Sequence, residues 1–287
     1  MTRCARLTSS DANSALLGAA EQSESNVNFH PDWLVPQWPA PTHVHALCTT
    51  RKGGQSLAPY AGFNLGDHVG DDAGAVGANR RQLAQALGAR PVFLSQVHGA
   101  QVEQVSVDTA HGTPADGCIT SEPGVACTIM VADCLPVLLT NAQGSLVAAA
   151  HAGWRSLAGQ GGRGILEHII ESFMALDHVD KEPLATKIIA WLGPCIGPEV
   201  FEVGAEVQEV FVAQDAAARA LLRPHGDGKW LADLQGLARL RLQALGVSQI
   251  YGNDGTRNWC TVSNPSRFFS HRRDRISGRM AACIWLD

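Results

Sequence analysis

Lysine is scarce in this chain: Lys52, Lys181, Lys187 and Lys229 are the only four in 287 residues. Arginine therefore provides most of the positive charge, and there is no basic surplus. The 22 Lys plus Arg stand against 27 Asp plus Glu, for a net charge of −5. Nucleic-acid-binding domains usually show the opposite balance, so that class is set aside. No apolar run nears the ~20 residues of a membrane-spanning helix. The apolar patch at 15–20 is too short for the core of a secretory signal. Eight cysteines lack any C-x-x-C pair and are irregularly spaced. Their default is reduced thiols in a soluble cytoplasmic protein, most of them small core residues. No Walker or dinucleotide glycine fingerprint exists, which argues against nucleoside triphosphates and NAD.

What is present points to one large core. The chain is 45% apolar, and its length is enough to fold without disulfide staples. Residues 1–30 are rich in Ser, Asn, Gln and Ala without periodicity and read as a disordered leader. Residues 31–287 contain no linker-like stretch and read as a single domain. Apolar patterning predicts strands over 44–49, 91–97, 101–107, 125–132, 135–140, 146–150, 187–192, 249–251 and 280–285. It predicts helices over 79–87, 163–175, 205–213 and 230–245. His98-Gly99 reads as a hairpin-like break between two of the strands. The strand run from 91 to 150 has no intervening helices, so the class is α/β of the α+β kind, with mixed sheets, and not a Rossmann array.

Three residues with soft or borderline donor atoms fall at the ends of predicted strands: His98, Cys134 and His151. Side chains at strand ends are held by a rigid sheet yet reach an open rim. Two imidazoles and a thiolate make a His₂Cys set, and three protein ligands leave the fourth zinc position for water or substrate. The bland alternative is a surface histidine and a core cysteine, and spacings of 36 and 17 residues do not decide between them. His151-Ala152-Gly153-Trp154-Arg155 then leads through Gly159, Gly161, Gly162 and Gly164 into a helix. Such a turn presents free N–H groups to an oxyanion or phosphate, with Arg155 as a further fork, or it only reverses the chain.

Arg51 ends the first strand in a glycine turn and either faces a ligand or is solvated. Asn64 lies in a polar turn, as a ligand contact or a turn former. Cys195, in Gly193-Pro194-Cys195-Ile196, reads as buried in a rigid bend. The charged run at 270–274 reads as a surface ion-pair cluster.

Several motifs together resemble one family. They are Asn64-Leu65-Gly66, His68-Val69-Gly70-Asp71, Gln96-Val97-His98-Gly99, Ala132-Asp133-Cys134-Leu135-Pro136 and His151-Ala152-Gly153-Trp154-Arg155. Gly193-Pro194-Cys195-Ile196, Trp230-Leu231-Ala232-Asp233-Leu234, Phe269-Ser270-His271-Arg272-Arg273-Asp274 and Gly278-Arg279 follow in the same order. Over roughly 33–287 the chain resembles the laccase-domain family, known both as polyphenol oxidase and as purine nucleoside phosphorylase. The resemblance implies a layered α-β-β-α sandwich like the cysteine-hydrolase fold of a deamidating toxin. It also implies one zinc on His98, Cys134 and His151.

Implied activities are phosphorolysis of adenosine, inosine and methylthioadenosine, and adenosine deamination. Cys134, His151 and Arg51 are then the expected catalytic residues, and Asn64, Arg155 and Gln96 the expected substrate contacts, with Arg51 and Arg155 neutralising phosphate. A second reading makes Cys134 a nucleophile and His151 its base, in a hydrolase that edits peptidoglycan precursors. A third is a non-enzymatic fold with a structural zinc, which needs a fourth protein ligand. Copper on the same donors would give adventitious polyphenol oxidase activity. A multicopper centre needs repeated H-x-H pairs, whereas His43-Val44-His45 is the only one here.

Overall fold

The computed structural model describes residues 1, 29–177 and 187–287. The leader expected over 1–30 therefore lies almost wholly outside the described residues. In chain order the regular elements are β1 (Val44–Cys48), α1 (Ala73–Leu87), β2 (Arg90–Phe93), β3 (Val102–Gln104), β4 (Gly117–Thr120), β5 (Val125–Val131), β6 (Leu135–Asn141) and β7 (Val147–Ala152). There follow α2 (Trp154–Ala158), α3 (Ile165–Leu176), β8 (Ile188–Leu192), β9 (Glu202–Val203) and α4 (Ala205–Gln214). The last are β10 (Leu222–Pro224), β11 (Trp230–Ala232), α5 (Leu234–Ala244), β12 (Gln249–Gly252), α6 (His271–Asp274) and β13 (Met280–Leu286).

Two mixed sheets stack face to face. One has the order β1-β13-β5-β2 and the other β12-β8-β6-β7-β4-β3, with a small β10-β11-β9 ribbon apart. The period-2 alternation of a strand explains the layers. On β5 and β13, Val125, Cys127, Ile129, Ala282 and Ile284 point inward, where they meet Leu138, Val147 and Ala149 of the second sheet. Their neighbours Ala126, Met130, Ala281 and Cys283 point outward to Leu83 and Leu87 of α1. On the far side, Val137, Leu139, Ala148 and Ala150 face Ile165, Ile169 and Phe173 of α3 and Leu237 of α5. The layers are thus α-β-β-α. Both faces of both sheets are covered, which is why β5, β6 and β7 are buried at every position.

Local rules explain the element ends. Asp72 caps α1 by accepting from the Ala75 N–H, and Gly88 ends it in the left-handed region at φ 63°. The helix therefore starts six residues earlier than the apolar pattern alone predicts. The helix expected over 230–245 divides, because 230–232 pairs with β9 and β10 and Asp233 then caps α5. The hairpin expected at His98-Gly99 does not form: β2 belongs to the first sheet and β3 to the second, so 94–101 crosses between layers. The turn from β5 to β6 crosses between the same layers.

Candidate metal centre

The two crossings bring the donors together at one end of the sandwich. His98 lies on the first and Cys134 on the second. His151 sits near the end of β7, where it pairs with Pro136 of β6, so that Cys134 follows on alongside. The three donor atoms lie within 4.8 Å of one another. Cys134 Sγ is 3.8 Å from His98 Nε2, and the two imidazole rings meet edge to face at 4.8 Å. His98 and Asp133 both hold positive φ, 61° and 94°, uncommon for residues with side chains and typical of functional sites.

Strand register also delivers a residue that the sequence did not mark. Gly117 of β4 pairs with Ala150 of β7, so Asp116 falls beside His151 and its carbonyl accepts the His151 N–H at 2.7 Å. Its carboxylate, fully buried, lies 2.8 Å from His151 Nδ1. It also accepts the successive backbone N–H groups of Val97, His98 and Gly99 at 3.1, 2.9 and 2.7 Å. One carboxylate therefore orients one donor ring and fixes the loop that carries another. Burial alone would raise this carboxyl's pKa, but the hydrogen bonds from His151, Gly99 and Val97 outweigh it and hold the value below the ordinary range. The signal available beforehand was a lone acid among small and apolar residues, which needs partners wherever it is buried.

The same competition sets the charge of the donors. Burial would raise the Cys134 thiol, yet His151 and His98 bring it down to about 6. Burial would lower His151, yet Cys134 and Asp116 raise it to about 9. Without a metal the pair is thiolate and imidazolium at neutral pH, and the thiolate is the form that binds metals.

The donors line a cavity of about 390 Å³. Trp154, Ile196, Phe201 and Leu234 form apolar walls, and Arg155, Arg272 and Arg279 bring positive charge. Among the described residues the lining holds one carboxylate, Asp133. Its oxygens accept the Thr261 hydroxyl and the Arg272 N–H, each at 2.6 Å. Arg155 stacks on Trp154 at 4.4 Å and Arg272 lies over Phe201 at 5.6 Å.

Of the residues expected at the site, His98, Cys134, His151, Arg155 and Gln96 line this cavity. The Gln96 amide is engaged with the backbone: it donates to the Met130 carbonyl and accepts its N–H, both at 2.8 Å. Asn64 stands one step back. It is buried, and its Oδ1 accepts from Arg279 N at 2.8 Å, holding the segment just before β13 that carries that arginine. Arg51 is placed elsewhere: its guanidinium donates to the carbonyls of Ala61 and Pro265 and lies 4.7 Å from the Phe269 ring. Arg272 and Arg279 line the cavity, and Arg51 does not.

Of the two readings of the glycine turn, an anion seat or a simple reversal, the local contacts favour the reversal. The chain after Gly153 first makes α2, and at the start of α3 the Gly164 N–H is taken by Glu167 at 2.7 Å. Glu167 in turn pairs with Arg241 at 2.7 Å. The run at 270–274 divides as well, with Arg273 and Asp274 ion-paired while His271 and Arg272 face the cavity.

The donor set fits a metal. Bonds of about 2.0–2.1 Å to nitrogen and 2.3 Å to sulfur give tetrahedral edges of about 3.3–3.6 Å, near the 3.8 Å between Cys134 and His98 and within reach of donors that all lie within 4.8 Å. Among the described residues the group stops at three donors, so the fourth ligand of a structural zinc is not supplied by them. Gly153 makes the room: a Cβ there would stand 3.0 Å from Cys134 Sγ and 3.2 Å from His98 Cδ2. Its φ of −64° suits any residue, so the constraint is steric. Gly153→Ala is expected to fold normally and lose metal affinity by about tenfold through misplaced donors, measured by competition with a chelator.

The fold and the site define a mixed α/β protein with a three-donor His-Cys-His centre in a cationic cavity. The sequence profile of the family described as multi-copper polyphenol oxidoreductase laccase matches residues 45–287, and the chain belongs to that family. It is 48% identical over 255 residues to the purine nucleoside phosphorylase YfiH of Escherichia coli, covering 88% of this chain and 98% of that protein. It is 46% identical over 256 residues to a purine nucleoside phosphorylase of Pseudomonas aeruginosa, covering 89% and 98%. Among solved structures, the Neisseria meningitidis protein NMB0706 matches with a TM-score of 0.81 at 42% identity, covering 89% of this chain and 99% of that one. YlmD of Geobacillus stearothermophilus matches with a TM-score of 0.72 at 35% identity, covering 85% and 92%.

Proposed function

We propose that this protein is a zinc-dependent purine nucleoside phosphorylase acting on adenosine, inosine and methylthioadenosine, with adenosine deamination as a second activity of the same site. The observation that carries this reading is the cavity itself, in which three arginines and an open three-donor centre face apolar walls. The names of the relatives from Escherichia coli and Pseudomonas aeruginosa support it.

Arg155, Arg272 and Arg279 would hold phosphate by charge-assisted hydrogen bonds. Trp154, Phe201 and Ile196 would bury the purine. An oxygen of the held phosphate attacks the anomeric carbon, the glycosidic bond breaks, and the purine leaves with the electron pair and takes a proton. His98, Cys134 and His151 would hold the metal, which supplies Lewis acidity toward an oxygen ligand. In deamination, water replaces the purine amine and ammonia leaves. The seven described cysteines are all free thiols, which fits a reducing compartment such as the cytoplasm.

The test is metal analysis of protein purified without added metal, followed by release of adenine from adenosine with and without phosphate. About one zinc per chain and phosphate-dependent release are expected. Release independent of phosphate, or none from zinc-loaded protein, refutes the reading.

A hydrolase reading, with peptidoglycan precursors as substrates, has one observation in its favour: Asp116 behind His151 behind Cys134 repeats the order of a nucleophile, base and orienting acid. It predicts lasting inactivation by iodoacetamide. In metal-free protein, labelling of Cys134 should rise through pH about 6 as the thiolate forms and then level off. Added zinc should protect the thiol if it is a ligand. Labelling undiminished by zinc, with activity lost in step, selects the hydrolase.

A further inference from the structure

A second cavity, of about 950 Å³, adjoins the first, and His98 and Arg155 line both. One wall is the face of α3 that carries His168, Glu171 and Ser172, whose spacing puts them on one side of a helix. All three offer acceptors. Glu171 is a carboxylate. Ser172 gives its proton to the His168 carbonyl at 2.8 Å, leaving oxygen lone pairs for another donor. His168 Nδ1 lies 2.8 Å from the Gly164 carbonyl. That carbonyl only accepts, so Nδ1 carries the proton and Nε2 of the neutral ring keeps its lone pair.

Beside these acceptors the lining brings donors: Arg155, Arg163 and the amide of Gln160. Arg163 pairs with Glu171 at 2.5 Å, with the two side chains 59% and 45% exposed. A pair that open to solvent is weakly held and exchanges partners readily.

We propose that this groove is a subsite for a zwitterionic, amino-acid-like tail attached to the sugar of the nucleoside in the first cavity. The proposal rests on the purine nucleoside reading and extends its substrate class. The ammonium of the tail takes Glu171, Ser172 and His168, and the carboxylate takes Arg163 and the Gln160 amide, which leaves Arg155 to the phosphate. A simple anion would meet Glu171 unpaired, and a simple cation would meet the arginines. A group carrying both charges satisfies both sets of residues.

The test compares S-adenosylhomocysteine with methylthioadenosine, two 5′-thioether nucleosides that differ in the tail, by calorimetry and adenine release on the zinc-loaded protein. Tighter binding of the tailed nucleoside is expected. Arg163→Gln and Glu171→Gln should each weaken that binding about five- to tenfold, as loss of a hydrogen bond to a charged group does. Methylthioadenosine should stay within about twofold in both variants, since it does not reach these residues. If methylthioadenosine binds and the tailed nucleoside binds no better, or the variants affect both equally or neither, the subsite is refuted and the nucleoside reading survives. If neither nucleoside binds, both fall together.

Discussion

Replacing Cys134 by alanine is expected to remove bound metal and phosphorolysis together, each by more than about 100-fold. Groups that merely support a metal ligand are worth about 10–100-fold, and Cys134 is itself a donor, the only anionic one of the three. Two imidazoles without the thiolate bind weakly and leave the His98 and His151 rings without the charge that attracts them. The fold should survive, because Cys134 is half-buried at the rim and not one of the core thiols such as Cys127 or Cys283. Metal content, phosphate-dependent adenine release and the urea midpoint of the same preparation check this. A variant that keeps its metal and its activity eliminates the centre.

Asp116→Asn should be damaging in two ways at once. Four donors converge on this carboxylate: His151 Nδ1–H and the N–H groups of Val97, His98 and Gly99. An amide has one acceptor oxygen, and its NH₂ would face donors. Breaking a buried charged network of this kind costs about 3–5 kcal/mol, while loss of the ligand's orienting partner costs about 10–100-fold in activity or metal affinity. The acid dependence changes too. Because the folded protein holds the Asp116 carboxyl below its ordinary value, its contribution is complete above the unfolded value of about 3.9 and is lost as pH falls through the depressed folded value. The variant should lose that part of the slope, measured as urea midpoints at successive pH values. A variant equal to the parent in stability and turnover would show that Asp116 supports neither loop nor ring.

Much of the fold was legible in local pattern. Strands β5, β6 and β7 are apolar runs of the right length, and Gly88 ends α1 where a left-handed residue is needed. The misreadings share a cause. His98-Gly99 has the chemistry of a turn whether the chain doubles back or crosses to another sheet. The leucines after Trp230 alternate plausibly in either state until β9 and β10 capture 230–232. The glycines before α3 allow an anion seat or a simple reversal until Glu167, backed by Arg241, fills the seat.

The amino-acid sequence by itself singled out His98, Cys134 and His151 as soft or borderline donors at the ends of predicted strands, and its apolar patterning indicated a mixed-sheet α/β class, while the layered sandwich was implied by the family resemblance. Tertiary structure decided the rest of the site. Asp116 reaches His151 through the register of β4 on β7, and Arg272 and Arg279 reach the cavity from the far end of the chain, while Arg51 is drawn away by two carbonyls. The reason is physical: a residue's type states which interactions it is able to make, and only the packing of distant segments states which partner is within reach.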